Sequence, residues 1–274
     1  MNFYNKIDFQ NELVTCMEVC RNIILNIYSN YCNNDDINLN FKEDNSPLTI
    51  ADKKSNNYIV EFLERLNKKL IKENPELKIG IISEENINEN YDTRQNYEYV
   101  WLIDPLDGTK EFIKKNGEFT INIGLVRNGV PVFGIVCSPV SDELYIGIEG
   151  DGSYYMKHCN HVRRVKINKK PDNMFEIENP KIVASASHMN KETQDFINNY
   201  NDCSLVNIGS SIKILYIAHN KADVYPRMAG TYEWDTCAAH AVIKYAGGNL
   251  YNYETNEELT YNKKDLLNPW FICY

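Results

Sequence analysis

The chain has 274 residues, enough to bury a substantial core as one large domain or as two joined lobes. Apolar residues make up 43% and charged residues 24%, an ordinary globular composition, and the net charge of -9 comes from 38 acids against 29 bases with no basic stripe. That balance argues against nucleic-acid polymers and anionic membranes as partners, although bound cations would still let an acidic protein take an anionic small molecule.

Residues 8–31 carry Leu13, Met17, Ile24 and Ile27 at helical spacing and predict a helix. Asn and Asp crowd residues 33–45, which reads as a loop. A second helix is expected over 51–74, with Ile59, Phe62, Leu63, Leu66 and Leu70 in one stripe and Pro75 closing it. Residues 79–82 form a short buried strand that runs into Glu84, and residues 99–103 form another that runs into Asp104. The period then changes to two. Residues 119–127 and 132–137 flank Asn128-Gly129, residues 144–148 and 153–156 flank Gly150-Asp151-Gly152, and 162–167 adds a further strand. This run implies a largely antiparallel sheet. After Pro180, strands over 181–186, 204–208 and 222–226 alternate with helices over 191–200, 210–220 and 235–246, the last ended by Gly247-Gly248. The polar stretch 169–179 is the best boundary. It divides an N-terminal α+β lobe, 1–170, from a C-terminal α/β lobe, 171–274.

The N-terminal segment lacks a basic start followed by an apolar run, and no stretch is long enough to span a membrane. The eight Cys lack framework spacing and read as reduced thiols, so the expected compartment is cytoplasmic. His158-Cys159-Asn160-His161, and Cys16 with Cys20, have no second pair at zinc-finger spacing, so structural zinc is not expected.

Chemistry concentrates in Asp104-Pro105-Leu106-Asp107-Gly108-Thr109. Two carboxylates on a turn constrained by proline and glycine are costly to bury unless something pairs with them, and a divalent metal is the simplest partner. Glu84 and Asp235 also sit at ends of predicted elements, which converge at one edge of a layered fold. Alone, Asp235 reads as a helix cap and Glu84 as a solvated loop acid; together with the Asp104 turn they read as hard oxygen ligands suited to Mg²⁺ or Mn²⁺. Another phosphatase class spaces its two aspartates two apart and phosphorylates the first. Here they are three apart with Pro105 between, so the expected nucleophile is water on a metal.

Asp104 to Thr109, Glu84-Glu85 and Trp234-Asp235-Thr236-Cys237-Ala238-Ala239 resemble the paired signatures of the inositol monophosphatase superfamily of Mg²⁺-dependent, lithium-sensitive phosphatases. Asp44 through Asp52, Lys110 through Thr120, Gly209-Ser210-Ser211-Ile212-Lys213 and Leu267-Asn268-Pro269 are similar to the CysQ type of 3'(2'),5'-bisphosphate nucleotidase, and the resemblance covers nearly the whole chain. It implies a layered αβαβα sandwich with the metals between two lobes, and hydrolysis of the 3'-phosphate of adenosine 3',5'-bisphosphate (PAP) to AMP; related enzymes also act on the 3'-phosphoadenosine sulfate donor (PAPS).

Position by position, the resemblance implies that Glu84, Asp104 and the Leu106 carbonyl hold one metal. Asp104, Asp107 and Asp235 hold a second, and a third ion sits near Glu84. Asp52 and Thr109 orient and deprotonate the attacking water, while Pro105 and Gly108 shape the turn. Lys110, Glu111, His188 and Glu233 are expected to line the nucleotide pocket, although Ala186 stands where the family often carries Arg. Gly209-Ser210-Ser211 can be read without the resemblance: opening a helix, with Lys213 in its first turn, it suits either a second phosphate or a plain cap, and Arg227 could grip the same group bidentately. The amides at Gly108-Thr109 would add an anion cradle if they open a helix. Rival readings are an inositol monophosphatase or fructose-1,6-bisphosphatase, against which the Lys110–Thr120 segment argues, and a catalytically silent metal or nucleotide sensor, against which the complete ligand set argues.

Overall fold

A computed structural model describes residues 2–34, 40–41, 47–86, 89–157, 161–168, 174–184 and 189–274. Helical periodicity near the N-terminus produces α1 (Ile7–Asn34) and α2 (Ile50–Glu73). Between them β1 (Asn40–Phe41), inside the expected loop, pairs with β2 (Pro47–Leu48) just beyond it. Thr49 and Asp52 form a capping box at the start of α2, which satisfies amide groups that a helix otherwise leaves unpaired. One face of α2 buries Ile59, Leu63, Leu66 and Leu70, each worth about 1.5–3 kcal/mol of apolar burial.

The alternating segments build one seven-stranded sheet: β3 (Ile79–Ser83), β4 (Tyr99–Asp107), β5 (Thr120–Arg127), β6 (Val130–Ser138), β7 (Glu143–Ile148), β8 (Gly152–Lys157) and β9 (His161–Val165), paired in that order. β3 and β4 run parallel, and every later pair is antiparallel. Two short helices that periodicity could not reveal, α3 (Tyr91–Arg94) and α4 (Thr109–Ile113), flank β4. The Asp104 turn is itself part of β4. Asp104 pairs with Asn122 and Asp107 with Thr120, so Pro105 and Leu106 together stand opposite Ile121. Such a bulge resets the side-chain alternation and brings Asp104 and Asp107 onto the same face.

Period two divides the strands between two cores. Trp101, Ile103, Ile121, Ile123 and Leu125 face α1 and α2, whereas Val100, Leu102, Val126 and Val136 face the other way. The second face is covered from the C-terminal half by α6 (Ile212–Ala218) and α7 (Glu233–Ala246). Behind these helices lie β10 (Lys181–Ala184) and β11 (Ser204–Asn207) in parallel, and β12 (Tyr225–Arg227), β14 (Phe271–Cys273) and β13 (Leu250–Asn252) antiparallel in that spatial order. The bridge Ile182–Val224 joins the two groups. α5 (Lys191–Ile197) closes the outer side over Ile182, Val224 and Ile272. The layers are therefore α1/α2, sheet, α6/α7, sheet, α5: the αβαβα sandwich that the resemblance implies. Residues grouped by the sequence as a second lobe thus send α7 across the sheet of the first.

α7 lies unusually close to that sheet. Gly124, Gly134 and Gly147 are register partners on β5, β6 and β7, and a Cβ on Gly134 would stand 2.2 Å from the Ala238 carbonyl oxygen. The glycine row makes a shallow groove that seats the helix carrying Asp235. Among the described residues no helix is long and apolar enough to cross a membrane, and the seven described Cys are free thiols.

Candidate active site

The carboxyl ends of the parallel strands β3 and β4 carry Glu84 and Asp104, the position where α/β sheets usually bind ligands. The side chain of Asp104 is 1% exposed and accepts the Leu106 N–H at 3.0 Å. Burial pushes its carboxyl well above the usual carboxylate range, and the charges of Glu84, Asp107 and Asp235 push it further. Asp235 responds in the same way, first to burial and then to Asp107 and Glu84. These shifts place the four acids in one electrostatic cluster although they come from three separate parts of the chain. Asp235 does not open its helix as expected. It is the third residue of α7, and its Oδ2 accepts the Tyr232 N–H at 2.8 Å.

Asp52 reaches Thr109 from α2. Its Oδ1 accepts the Thr109 hydroxyl at 3.0 Å, and its Oδ2 accepts the Thr49 amide at 2.8 Å and the Thr49 hydroxyl at 2.5 Å. Burial outweighs these hydrogen bonds and pushes the carboxyl up to about 6. Thr109 also donates towards the Leu106 carbonyl, 3.3 Å away, so the carbonyl expected as a metal ligand sits beside the Thr109–Asp52 pair. Ser55, one turn along α2, donates to the Pro105 carbonyl at 3.0 Å and fixes the bulge from below. Gly108 adopts φ +95°, where a Cβ would also meet the Glu118 carbonyl oxygen at 3.0 Å, so this turn requires glycine.

Part of this set opens onto a cavity of about 220 Å³, whose lining does not include Asp52, Asp104 or Leu106. Glu84, Asp107, Thr109, Asp235, Lys213 and Arg227 line it, and Gly108, Lys110, Glu111 and the Gly209–Ser211 loop complete its wall. Lys213 is 6% exposed, donates towards the Ile208 carbonyl at 3.4 Å and is pushed down to about 8, chiefly by burial. The same lysine eases the charge of Asp107, whose carboxyl burial otherwise raises. Arg227 donates from Nη2 to the Gly230 carbonyl at 3.1 Å, while its Nε, shielded from solvent, has no protein acceptor among the described residues.

Three further expectations change. Glu233 does not line the cavity: it is fully buried, held by the Asn262 and Lys263 amides at 2.5 and 2.9 Å and by the Lys263 ammonium at 2.6 Å. The amides of the Gly209–Ser211 loop do not form an open phosphate cradle. Gly209 N–H donates to Glu118 at 2.9 Å and Ser211 N–H to Asp107 at 2.5 Å, and α6 begins only at Ile212. Asp107 of β4 and Glu118, just before β5, already take those two amides. Third, β12 runs Tyr225–Arg227 rather than 222–226, so Arg227 belongs to the strand. His188 and Ala186 lie outside the described residues, as do residues 44–46 and 158–160 of the stretches singled out above.

Sequence reasoning missed Tyr225, Thr231 and Phe271 in the cavity wall. Tyr225 could have been found, because it precedes Arg227 by two on one strand and so shares its face. Phe271 pairs with Arg227 across β12 and β14, a long-range relation without a local signal.

The donor set suits hard divalent cations: it offers only carboxylate and carbonyl oxygens, with no thiolate or imidazole. Among the described residues no three His, Cys, Asp or Glu side chains already converge on one point. Like-charged carboxylates resist convergence, and a cation relieves both their repulsion and their burial.

A model of the inositol monophosphatase family matches residues 9–270. The 3'(2'),5'-bisphosphate nucleotidase CysQ of Buchnera aphidicola is 38% identical over 227 residues, 82% of this chain and 78% of that protein. The enzyme of the same name from Escherichia coli strain K12 is 35% identical over 231 residues, 84% and 86% of the two chains. Among solved structures, CysQ from Bacteroides thetaiotaomicron superposes with a TM-score of 0.79 at 38% identity, covering 99% of this chain and 98% of that one. A 2'AMP-bound inositol monophosphatase of Staphylococcus shares the fold, with a TM-score of 0.72 at 18% identity over 98% and 89%.

Proposed function

We propose that this chain, which belongs to the inositol monophosphatase family, is a 3'(2'),5'-bisphosphate nucleotidase that removes the 3'-phosphate of PAP to leave AMP, with PAPS as a second substrate. Its relatives of that name match most of its length. One observation carries the reading: the cavity combines Glu84, Asp107 and Asp235 of the acidic cluster with two partly or wholly buried cations, Lys213 and Arg227. A substrate with two phosphates matches both. The reacting phosphate belongs beside the acids, and the second belongs beside Lys213 and Arg227, whose mutual repulsion it would relieve.

The family depends on divalent metal. We assign Mg²⁺, two or three ions per site with Mn²⁺ as a substitute, to Glu84, Asp104, Asp107, Asp235 and the Leu106 carbonyl. When bound, the ions supply positive charge against the phosphoryl oxygens and the acidity that water lacks at neutral pH. The protein supplies position and a proton path. Above about pH 6 Asp52 is ionised and holds the Thr109 hydroxyl proton at its Oδ1, 3.0 Å away. The Thr109 oxygen then keeps a free lone pair for a proton of the attacking water. Lys110, Glu111 and Arg227 orient the nucleotide, and Gly108 keeps the turn open to it. Cytoplasmic location belongs to the same proposal and is supported by the free thiols.

The test is phosphate release from PAP, PAPS, inositol 1-phosphate and fructose 1,6-bisphosphate, with Mg²⁺, with and without Li⁺. Preference for PAP or PAPS with inhibition by Li⁺ is expected. Faster release from inositol 1-phosphate than from PAP would replace the nucleotide reading by the sugar-phosphate one.

A further inference from the structure

Ser211 lines the cavity, yet both of its hydrogen-bond donors are committed elsewhere. Its N–H donates to Asp107 Oδ2 at 2.5 Å. Its hydroxyl donates to Asn122 Oδ1 at 2.8 Å and lies 2.8 Å from the Thr120 hydroxyl, while Asn122 Nδ2 donates back to Thr120 at 3.2 Å. The three side chains close a ring sealed from water, with Ser211 4% exposed and Thr120 and Asn122 fully buried. Packing alone does not call for such a ring, since apolar residues could fill the space without hydrogen bonds to satisfy.

The register gives the ring its significance. Thr120 is the β5 partner of Asp107, and Asn122 is the β5 partner of Asp104, one on each side of the bulge. The ring therefore stands beside both acids and ties them to a loop of the second sheet layer. That loop is pinned at its other end by the Gly209 amide on Glu118, at 2.9 Å. Between the two anchors Ser210 takes φ +52°, a left-handed conformation that a serine keeps only where its surroundings impose it. With Oδ2 of Asp107 engaged by the Ser211 amide, Oδ1 is the oxygen left for an ion.

We infer that Ser211, Thr120 and Asn122 form a positioning cluster that aims the Asp107 carboxylate at a divalent cation, an inference resting on the metal assignment above. Outer hydrogen-bond partners of metal ligands typically change affinity by 10–100-fold when removed. The test is Mn²⁺ binding to the full chain, followed by electron paramagnetic resonance, with thermal melting in chelator as a parallel readout. S211A and T120V should each weaken Mn²⁺ binding by about tenfold or more, whereas T120S, which keeps the hydroxyl, should stay within about twofold of the parent. A purely structural ring would lower the melting temperature and leave affinity unchanged, and that result overturns the inference. Should S211A fail to fold, the T120V and T120S pair decides in the same terms. Failure of the parent chain to bind Mn²⁺ would overturn the metal assignment and this inference together; unchanged affinity in the variants overturns this inference alone.

Discussion

Replacing Asp52 by Asn should cut turnover by orders of magnitude while making the metal-free protein more stable. Asp52 is 1% exposed, and its carboxyl is pushed from 3.8 up to about 6, chiefly by burial. One decade of acid strength is worth about 1.4 kcal/mol, so ionised Asp52 costs the fold about 3 kcal/mol at neutral pH. The direction follows from proton uptake. Between about pH 4 and 6 the folded chain holds a proton that the unfolded chain has released, so stability falls as pH rises through that window and the cost is complete above it. Asparagine cannot ionise and removes this cost. It also loses one acceptor for the Thr49 or Thr109 hydroxyl, which returns about 1 kcal/mol. The net gain of about 1–2 kcal/mol should raise the melting temperature by roughly 2–8 °C for a chain of this size. Melting curves in chelator from pH 4 to 8 give the difference between parent and variant, which should be small at pH 4 and largest above pH 6. Turnover with Mg²⁺ should fall by about 10²–10⁴-fold. A variant that melts lower than the parent at pH 7 and still turns over normally would refute both the buried charge and its role as base.

Asp107→Asn should leave a folded protein, since Oδ1 of asparagine can still accept the Ser211 amide, but should cut phosphate release by about 10²-fold or more; near-normal release would remove Asp107 from the metal set. Lys213→Ala should raise KM for PAP more than KM for a nucleoside 3'-monophosphate, and equal effects would take Lys213 out of the second phosphate site. Because Lys213 loses its proton near pH 8, KM of the parent for PAP should rise as pH increases through that value, a trend absent in the alanine variant. Gly134→Ala places a Cβ against the Ala238 carbonyl and should cost about 1–3 kcal/mol in thermal melts, whereas Gly230→Ala, whose Cβ meets nothing nearer than 3.5 Å, should be close to neutral; similar melting of the two would deny the tight seat of α7.

Long periodic segments were legible in the sequence. α1, α2 and the strands from β5 to β8 follow from apolar spacing and from the Asn128-Gly129 turn, because burial on one face or two leaves a strong pattern. That Glu84, Asp104, Asp107 and Asp235 share one electrostatic cluster was legible for a different reason: acids at element ends have no packing role. What escaped was short or long-range. α3, α4, β13 and β14 span three to five residues each, too few for a period to show. Glu233, next to a known motif, reads as a site residue, but its partners Asn262 and Lys263 lie about thirty positions away and draw it inward. The Ser211 ring left a trace that could have been used. Thr120 and Asn122 interrupt one face of an otherwise apolar buried strand, and buried polar residues at period two need a partner from elsewhere.

The most direct test of the central claim is anomalous diffraction from crystals soaked in Mn²⁺. Peaks bounded by Glu84, Asp104, Asp107, Asp235 and the Leu106 carbonyl are expected, with the Asp107 peak lost in D107N crystals. An empty acidic cluster at saturating Mn²⁺, in crystals of protein that still releases phosphate from PAP, would contradict the account.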